Sequence, residues 1–176
     1  MAVDSFIQFS NSKGTAVVGE STDDKHQQWS EVLSWACSAM QPHTLSSAST
    51  GAGGGKVSFS DLSFTKYLDS ATDDLLQAMY AGEHFKSVQL EVRQAGGEAD
   101  SNTPQVAFLV INLEEVFITN YSISWGAERP IENWGVAFAR FGLNYKAQNT
   151  TGDEAGAQPV GWDQTINKPW SPPKPS

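Results

Sequence analysis

Three histidines, a single cysteine and a glycine-rich stretch ending in lysine are the residues of this chain with most chemical potential. His26 follows Asp23, Asp24 and Lys25, an arrangement that could support acid/base work. With Ser21 and Thr22 beside them, these side chains read better as turn and cap hydrogen-bonding groups. His26, His43 and His84 lie in polar stretches without ligand spacing between them, so solvated or capping histidines are expected and no metal site. The run Gly51-Ala52-Gly53-Gly54-Gly55-Lys56 imitates a phosphate-cradling loop. Its first glycine is misplaced, Val57 stands where a hydroxyl should meet magnesium, and a strand is expected to follow instead of a helix. Glu114 and Glu115 cannot form a dyad on one strand, because adjacent side chains diverge to opposite faces. Cys37 excludes an internal disulfide and reads as a small buried side chain. Asn120-Tyr121-Ser122 and Asn149-Thr150-Thr151 match the glycosylation triplet, without a secretory signal to give them meaning. No catalytic, cofactor-binding or metal-ligating set converges, and a non-enzyme is expected.

Bulk properties narrow the partners. The 176 residues fit one domain with a genuine core. A formal charge of -9 repels a phosphate backbone, which argues against nucleic acid. The opening Met1-Ala2-Val3-Asp4-Ser5-Phe6 lacks the basic and apolar regions of a signal peptide. No apolar run reaches the ~18 residues of a membrane span, so no membrane insertion is expected.

The elements are mostly strands. One is expected over 3–9 and another over 29–41, whose heavier face carries Trp29, Leu33, Trp35 and Cys37. Residues 42–55 have no apolar period and read as a long loop with a job. Val57 and Phe59 differ in parity from Leu62 and Phe64, which predicts a bend near Ser60 and Asp61. Another phase change falls near Ala139 and Arg140 in a strand over 134–145. The spacing predicts one helix over 70–81, capped by Ser70 and stopped by Gly82, with Leu75/Met79 and Leu76/Tyr80 as its apolar stripe. A strand over 85–94 points Val88, Leu90 and Val92 inward. Over 104–113 both faces are apolar, with Phe108 and Val110 opposed to Leu109, Ile111 and Leu113. Either a thick sandwich core or a neighbouring subunit covers the second face, and the rest of the chain favours the subunit. Trp162 and Trp170 are expected to dock back onto the domain or a neighbour.

Ordered landmarks run along nearly the whole chain. Gly19-Glu20-Ser21-Thr22-Asp23-Asp24-Lys25-His26 precedes Glu31-Val32-Leu33-Ser34-Trp35. Gly53-Gly54-Gly55-Lys56-Val57-Ser58 and Asp61-Leu62-Ser63-Phe64-Thr65-Lys66-Tyr67-Leu68-Asp69 follow. Then come Ala81-Gly82-Glu83-His84-Phe85, Val92-Arg93-Gln94-Ala95-Gly96-Gly97, Leu113-Glu114-Glu115-Val116 and Gly161-Trp162-Asp163. In this order they closely resemble the Hcp family, the tube proteins of bacterial type VI secretion systems.

That resemblance implies a mainly β fold: an antiparallel β-barrel of two packed sheets, one short α-helix and a long extended loop. It implies a homohexameric ring, stacking of rings into a tube inside a contractile sheath, and expulsion with a spike protein. Small secreted effectors would ride in the lumen; a cargo chaperone is the alternative duty. Localisation would be the bacterial cytoplasm before firing, then the extracellular space or a target cell. Residues 1–168 would form the tube domain and 169–176 a flexible proline-rich tail. Candidate subunit or ring-stacking contacts are Thr22, Asp23, Asp24 and Lys25, then His43, Thr44, Leu45, Ser46, Gly53 and Gly54, with Leu109 and Ile111 on the doubly apolar strand. The chain departs from the family pattern at Ala36-Cys37 and in the proline-rich end after Lys168.

Overall fold

A computed structural model of the chain describes residues 3–44, 53–94, 107–125, 128–146 and 159–173. In order the elements are β1 (Val3–Asn11), β2 (Ser30–Ala36), β3 (Ala39–Met40), β4 (His43–Thr44), β5 (Gly53–Gly54), β6 (Ser58–Phe59) and β7 (Leu62–Tyr67). Then follow α1 (Ala71–Ala81), β8 (Phe85–Gln94), β9 (Ala107–Trp125), β10 (Pro130–Tyr145), β11 (Val160–Asp163) and β12 (Lys168–Pro169). The antiparallel order β10-β7-β2-β1-β8-β9 closes when β9 pairs back onto β10. The barrel is therefore one sheet whose opposed walls are parts of itself. β11 and β12 extend it sideways from β10.

Alternation fills the interior. Ile7 and Phe9 of β1, Val88, Leu90 and Val92 of β8, Ile111 and Leu113 of β9 and Trp134 and Val136 of β10 join one buried cluster. Strict alternation would flatten these strands, and the chain breaks it at one level on three neighbours. The inward residues are Phe85 then Val88, Leu113 then Val116, and Phe138 then Phe141, three apart in each case. Glu115 marks the break on β9 with φ 53°, a local kink within an unshifted register that bends the strand as a barrel needs. The expected phase change at Ala139 and Arg140 is the β10 part of this corner. The bend at Ser60 and Asp61 also stands, separating Phe59 of β6 from Leu62 of β7.

β2 departs from expectation. Its register shifts between Val32 and Ser34, so Val32 is buried, Leu33 is 47% exposed, and Trp35 packs inward. The heavier face over 29–41 is thus divided by an irregularity that leaves no mark in the hydrophobic pattern.

α1 lies against the barrel with Ala71, Thr72, Leu75 and Ala78 buried, whereas Tyr80 is 78% exposed and leaves the expected stripe. Ser70 does not cap it: its hydroxyl donates to the Val18 carbonyl at 2.9 Å. Asp69 takes the capping role, accepting the Ala71 amide at 3.0 Å. Gly82 ends the helix in the left-handed conformation, φ 66°.

Beneath this helix sits a charged pair absent from the sequence expectations. Lys66 and Glu132 are register partners on β7 and β10, both on inward positions and both fully buried. Lys66 Nζ lies 2.8 Å from Glu132 and 2.6 Å from Asp69, and donates to Thr72 at 3.0 Å. Glu132 accepts from Thr72 at 2.9 Å, the Trp134 indole at 3.2 Å and the Tyr121 hydroxyl at 3.1 Å. Burial, then the Glu132 charge, push the Tyr121 phenol up to about 12 and keep it a donor. The pair fixes where the helix start meets the barrel.

Candidate assembly surface

Among the described residues, four surface features stand out once the barrel has formed. The first is an arm. Residues 42–55, expected as an unpatterned loop, instead begin as a ribbon: Ala39 pairs with Phe59, Met40 with Ser58, His43 with Gly54 and Thr44 with Gly53. Neither ladder joins the barrel sheet. Phe59 roots the arm by packing edge-on to Phe138 and tilted against Phe141, with centroids at 5.8 and 5.3 Å. Leu45 and Ser46 lie outside the described residues.

The second is a loop over 19–28 that covers the outer face of β1 and β8. Gly19 donates to Gln28 at 2.6 Å and Ser21 to Trp29 at 2.9 Å, closing the loop on itself. A Cβ on Gly19 would stand 2.5 Å from the Trp29 carbonyl oxygen, so this approach requires glycine. Thr22, Asp24 and Lys25 are exposed, whereas Asp23 turns inward to Arg93 and His26. Burial opposes ionisation of Asp23, but bonds from Arg93, the Lys25 amide and His26 prevail and hold its carboxyl below the ordinary value. His26, expected as a solvated or capping group, is 4% exposed. Its burial comes from the loop itself, which lays the ring on Phe6. His84 sits apart and exposed, 3.5 Å from Glu115.

The third is a wall without charge. Ser34, Thr65, Asn133 and Ser122 are successive register partners across β2, β7, β10 and β9, and Ala36, Ser63, Gly135 and Asn120 form the next row. Apart from Thr65, half-buried, and Gly135, buried, these residues are exposed; the Thr65 hydroxyl donates to Asn133 at 2.9 Å.

The fourth feature lies on the outer side of β9, β10 and β11. Asn112, Gly142 and Gly161 are register partners across these strands. Over them runs the chain end: Trp170 donates its amide to Gly161 at 2.9 Å, and Pro172 is buried. The segment from 169, expected as a flexible tail, is thus docked through Pro172 where it is described. Trp170 is half-buried here, as an anchor should be. This finding corrects the contact set. Ile111 is 1% exposed inside the barrel's own core and out of a neighbour's reach. Leu109 is half-buried and also packs on that core. On the opposite face Val110 and Asn112 are buried too, and at Gly142 Trp170 and Pro172 supply the cover. The doubly apolar run is satisfied largely within one chain.

Beside the docked end, Arg140 bridges Glu114 at 2.6 Å and Asp163 at 2.8 Å. Hydrogen bonds from Thr165, then Arg140, bring the Asp163 carboxyl down to about 2. Cys37 is half-buried at the base of the arm, where burial pushes its thiol up and makes it a poor nucleophile.

Among the described residues no group of three or more His, Cys, Asp or Glu side chains comes together to hold a metal ion. A model of the family described as the type VI secretion system effector Hcp matches residues 6–145. The chain belongs to the Hcp family. It is 37% identical to Protein hcp1 of Pseudomonas aeruginosa over 166 residues, covering 93% of this chain and 96% of that protein. A solved structure described as a type six secretion system protein shares 31% identity with a TM-score of 0.82, covering 96% and 100% of the two chains. Hcp1 from Salmonella typhimurium shares 26% at a TM-score of 0.74, covering 97% and 100%. The anti-feeding prophage baseplate, 6% identical at a TM-score of 0.51, is alike in fold alone, over 81% and 93%. As an Hcp protein the chain is a structural tube component of the type VI secretion system. Among the described residues no helix is long and apolar enough to cross a membrane.

Proposed function

We propose that copies of this chain close into hexameric rings, that the rings stack into the expelled tube, and that the uncharged wall of β2, β7, β10 and β9 lines its lumen. The observation that carries the luminal assignment is the pair of cross-strand rows, Ser34-Thr65-Asn133-Ser122 and Ala36-Ser63-Gly135-Asn120. In a chain of net charge -9, eight adjoining positions without a charge or a large apolar group make a wetted, weakly adhesive surface. Such a surface suits passage of small effectors. A cargo chaperone would need apolar or charged anchors there, and these rows supply neither.

Ring closure is heterologous, each copy meeting two neighbours through different faces. The arm carrying His43, Thr44, Gly53 and Gly54, together with Thr22, Asp24 and Lys25, supplies the subunit and stacking contacts of this reading. The sheath and spike as partners, a cytoplasmic start and release outside the cell belong to the same proposal.

The luminal assignment is tested by labelling. In a Cys37→Ser background, Ser122→Cys should react with a small maleimide in dispersed and stacked protein alike. A long PEG-maleimide should label it at least ~10-fold more slowly after stacking, because the wall is enclosed. Equal rates with the long reagent in both states place Ser122 outside the tube.

A further inference from the structure

The loop over 19–28 is fastened to the barrel by charge, and its fastening places one histidine between two carboxylates. His26 stacks flat on Phe6, centroids 4.4 Å apart and planes at 6°, with Trp29 edge-on at 4.9 Å. Its Nε2 lies 2.7 Å from Glu91, and its Nδ1 lies 3.3 Å from Asp23. Glu91 is held in place by Gln89, which donates to its other oxygen at 2.7 Å. Arg93 pairs with Asp23 and lies over the Phe6 ring at 5.0 Å. Phe6, Glu91 and Arg93 point away from the barrel core yet are 4%, 9% and 4% exposed, since the loop lies over them. The remaining charges beside the site are Asp4 on β1, register partner of Arg93, Glu31 on β2, register partner of Phe6, and the loop's own exposed Asp24 and Lys25.

A carboxylate only accepts hydrogen bonds, so an imidazole between two carboxylates satisfies both only with a proton on each nitrogen. The doubly protonated ring and Arg93 balance Asp23 and Glu91. Without that proton, one nitrogen lone pair faces a carboxylate oxygen in a largely buried site, and repulsion replaces attraction.

We propose that His26 is a proton-operated clasp: the protonated ring holds the 19–28 loop closed on β1 and β8, and loss of the proton releases it. The clasp stands on the geometry of one subunit. Its consequence for assembly rests on the proposed ring, because release would unlock Thr22, Asp24 and Lys25 as a preformed contact surface.

Hydrogen exchange of the full chain tests this. After correction for intrinsic rates, protection of the 19–28 amides should fall about tenfold between about pH 5.5 and 8.5 while the barrel strands hold theirs. His26→Gln, which bonds without titrating, should show no such step. A flat wild-type profile, or the same step in His26→Gln, overturns the clasp. If His26→Gln also loses strand protection, Glu91→Gln decides: its step should move to lower pH than wild type, and an unmoved step overturns the proposal. Particle mass measured alongside separates the two readings. A loop that opens while the mass stays constant supports the clasp and removes the loop from the contact set.

Discussion

Lys66→Met is expected to lower the free energy of unfolding by about 3–5 kcal/mol, because it strands the Glu132 carboxylate in a fully buried site. Methionine fills similar volume, so packing contributes little to the loss. Thr72, Trp134 and Tyr121 would still donate to Glu132, but nothing would balance its charge. The double variant Lys66→Met, Glu132→Gln should recover much of the stability, since burying a matched pair and burying neither cost similar amounts. Urea unfolding of the two variants and wild type, with coupling taken from the double-mutant cycle, measures this. A single variant within ~1 kcal/mol of wild type would show that the pair does not anchor α1 to the barrel.

Gly142→Ala should detach the chain end from the sheet. A Cβ there would stand 2.4 Å from Pro172 Cβ and 2.9 Å from the Trp170 ring. Neither neighbour can yield easily: one is a closed ring, and the other is held by the Trp170 amide on Gly161. Gly161 is equally confined, its Cβ direction meeting the Trp170 carbonyl oxygen at 2.4 Å. The expected cost is about 1–3 kcal/mol, as for other overpacked sites. The difference in emission between each protein and its Trp170→Phe counterpart should shift to longer wavelength when Trp170 enters water. Unchanged emission and stability would show that Trp170 and Pro172 do not seat on these glycines.

The architecture was legible wherever apolar spacing was regular. The helix over 70–81, the inward Val88, Leu90 and Val92, and the phase changes near Ser60 and Ala139 all reappear in the barrel. Backbone irregularities were not legible. The slip between Val32 and Ser34 and the positive φ of Glu115 occur at residues whose types do not announce them. The buried pair left a signal that went unused: Lys66 shares the parity of Leu62 and Phe64, and Glu132 that of Trp134 and Val136. A charge on the inward parity of two strands points to a partner inside. His26 was hidden for another reason. Its burial depends on a loop folding over an outward face, and periodicity within a strand does not describe what lies above it. Ile111 looked like a subunit contact because the pattern over 104–113 does not say which face turns inward; it lies in the barrel core, while Trp170 and Pro172 cover Gly142 on the other face. Family landmarks pointed only coarsely to the proposed contact regions and left the neutral wall to the cross-strand register.

The central claim is that this barrel is a ring-forming tube subunit. Native mass spectrometry of the purified full chain, with negative-stain imaging of the same sample, tests it most directly. The account predicts a hexamer seen end-on as an annulus with an open centre, and stacked rings as concentration rises. A monomer that persists at high concentration without annular particles would contradict it.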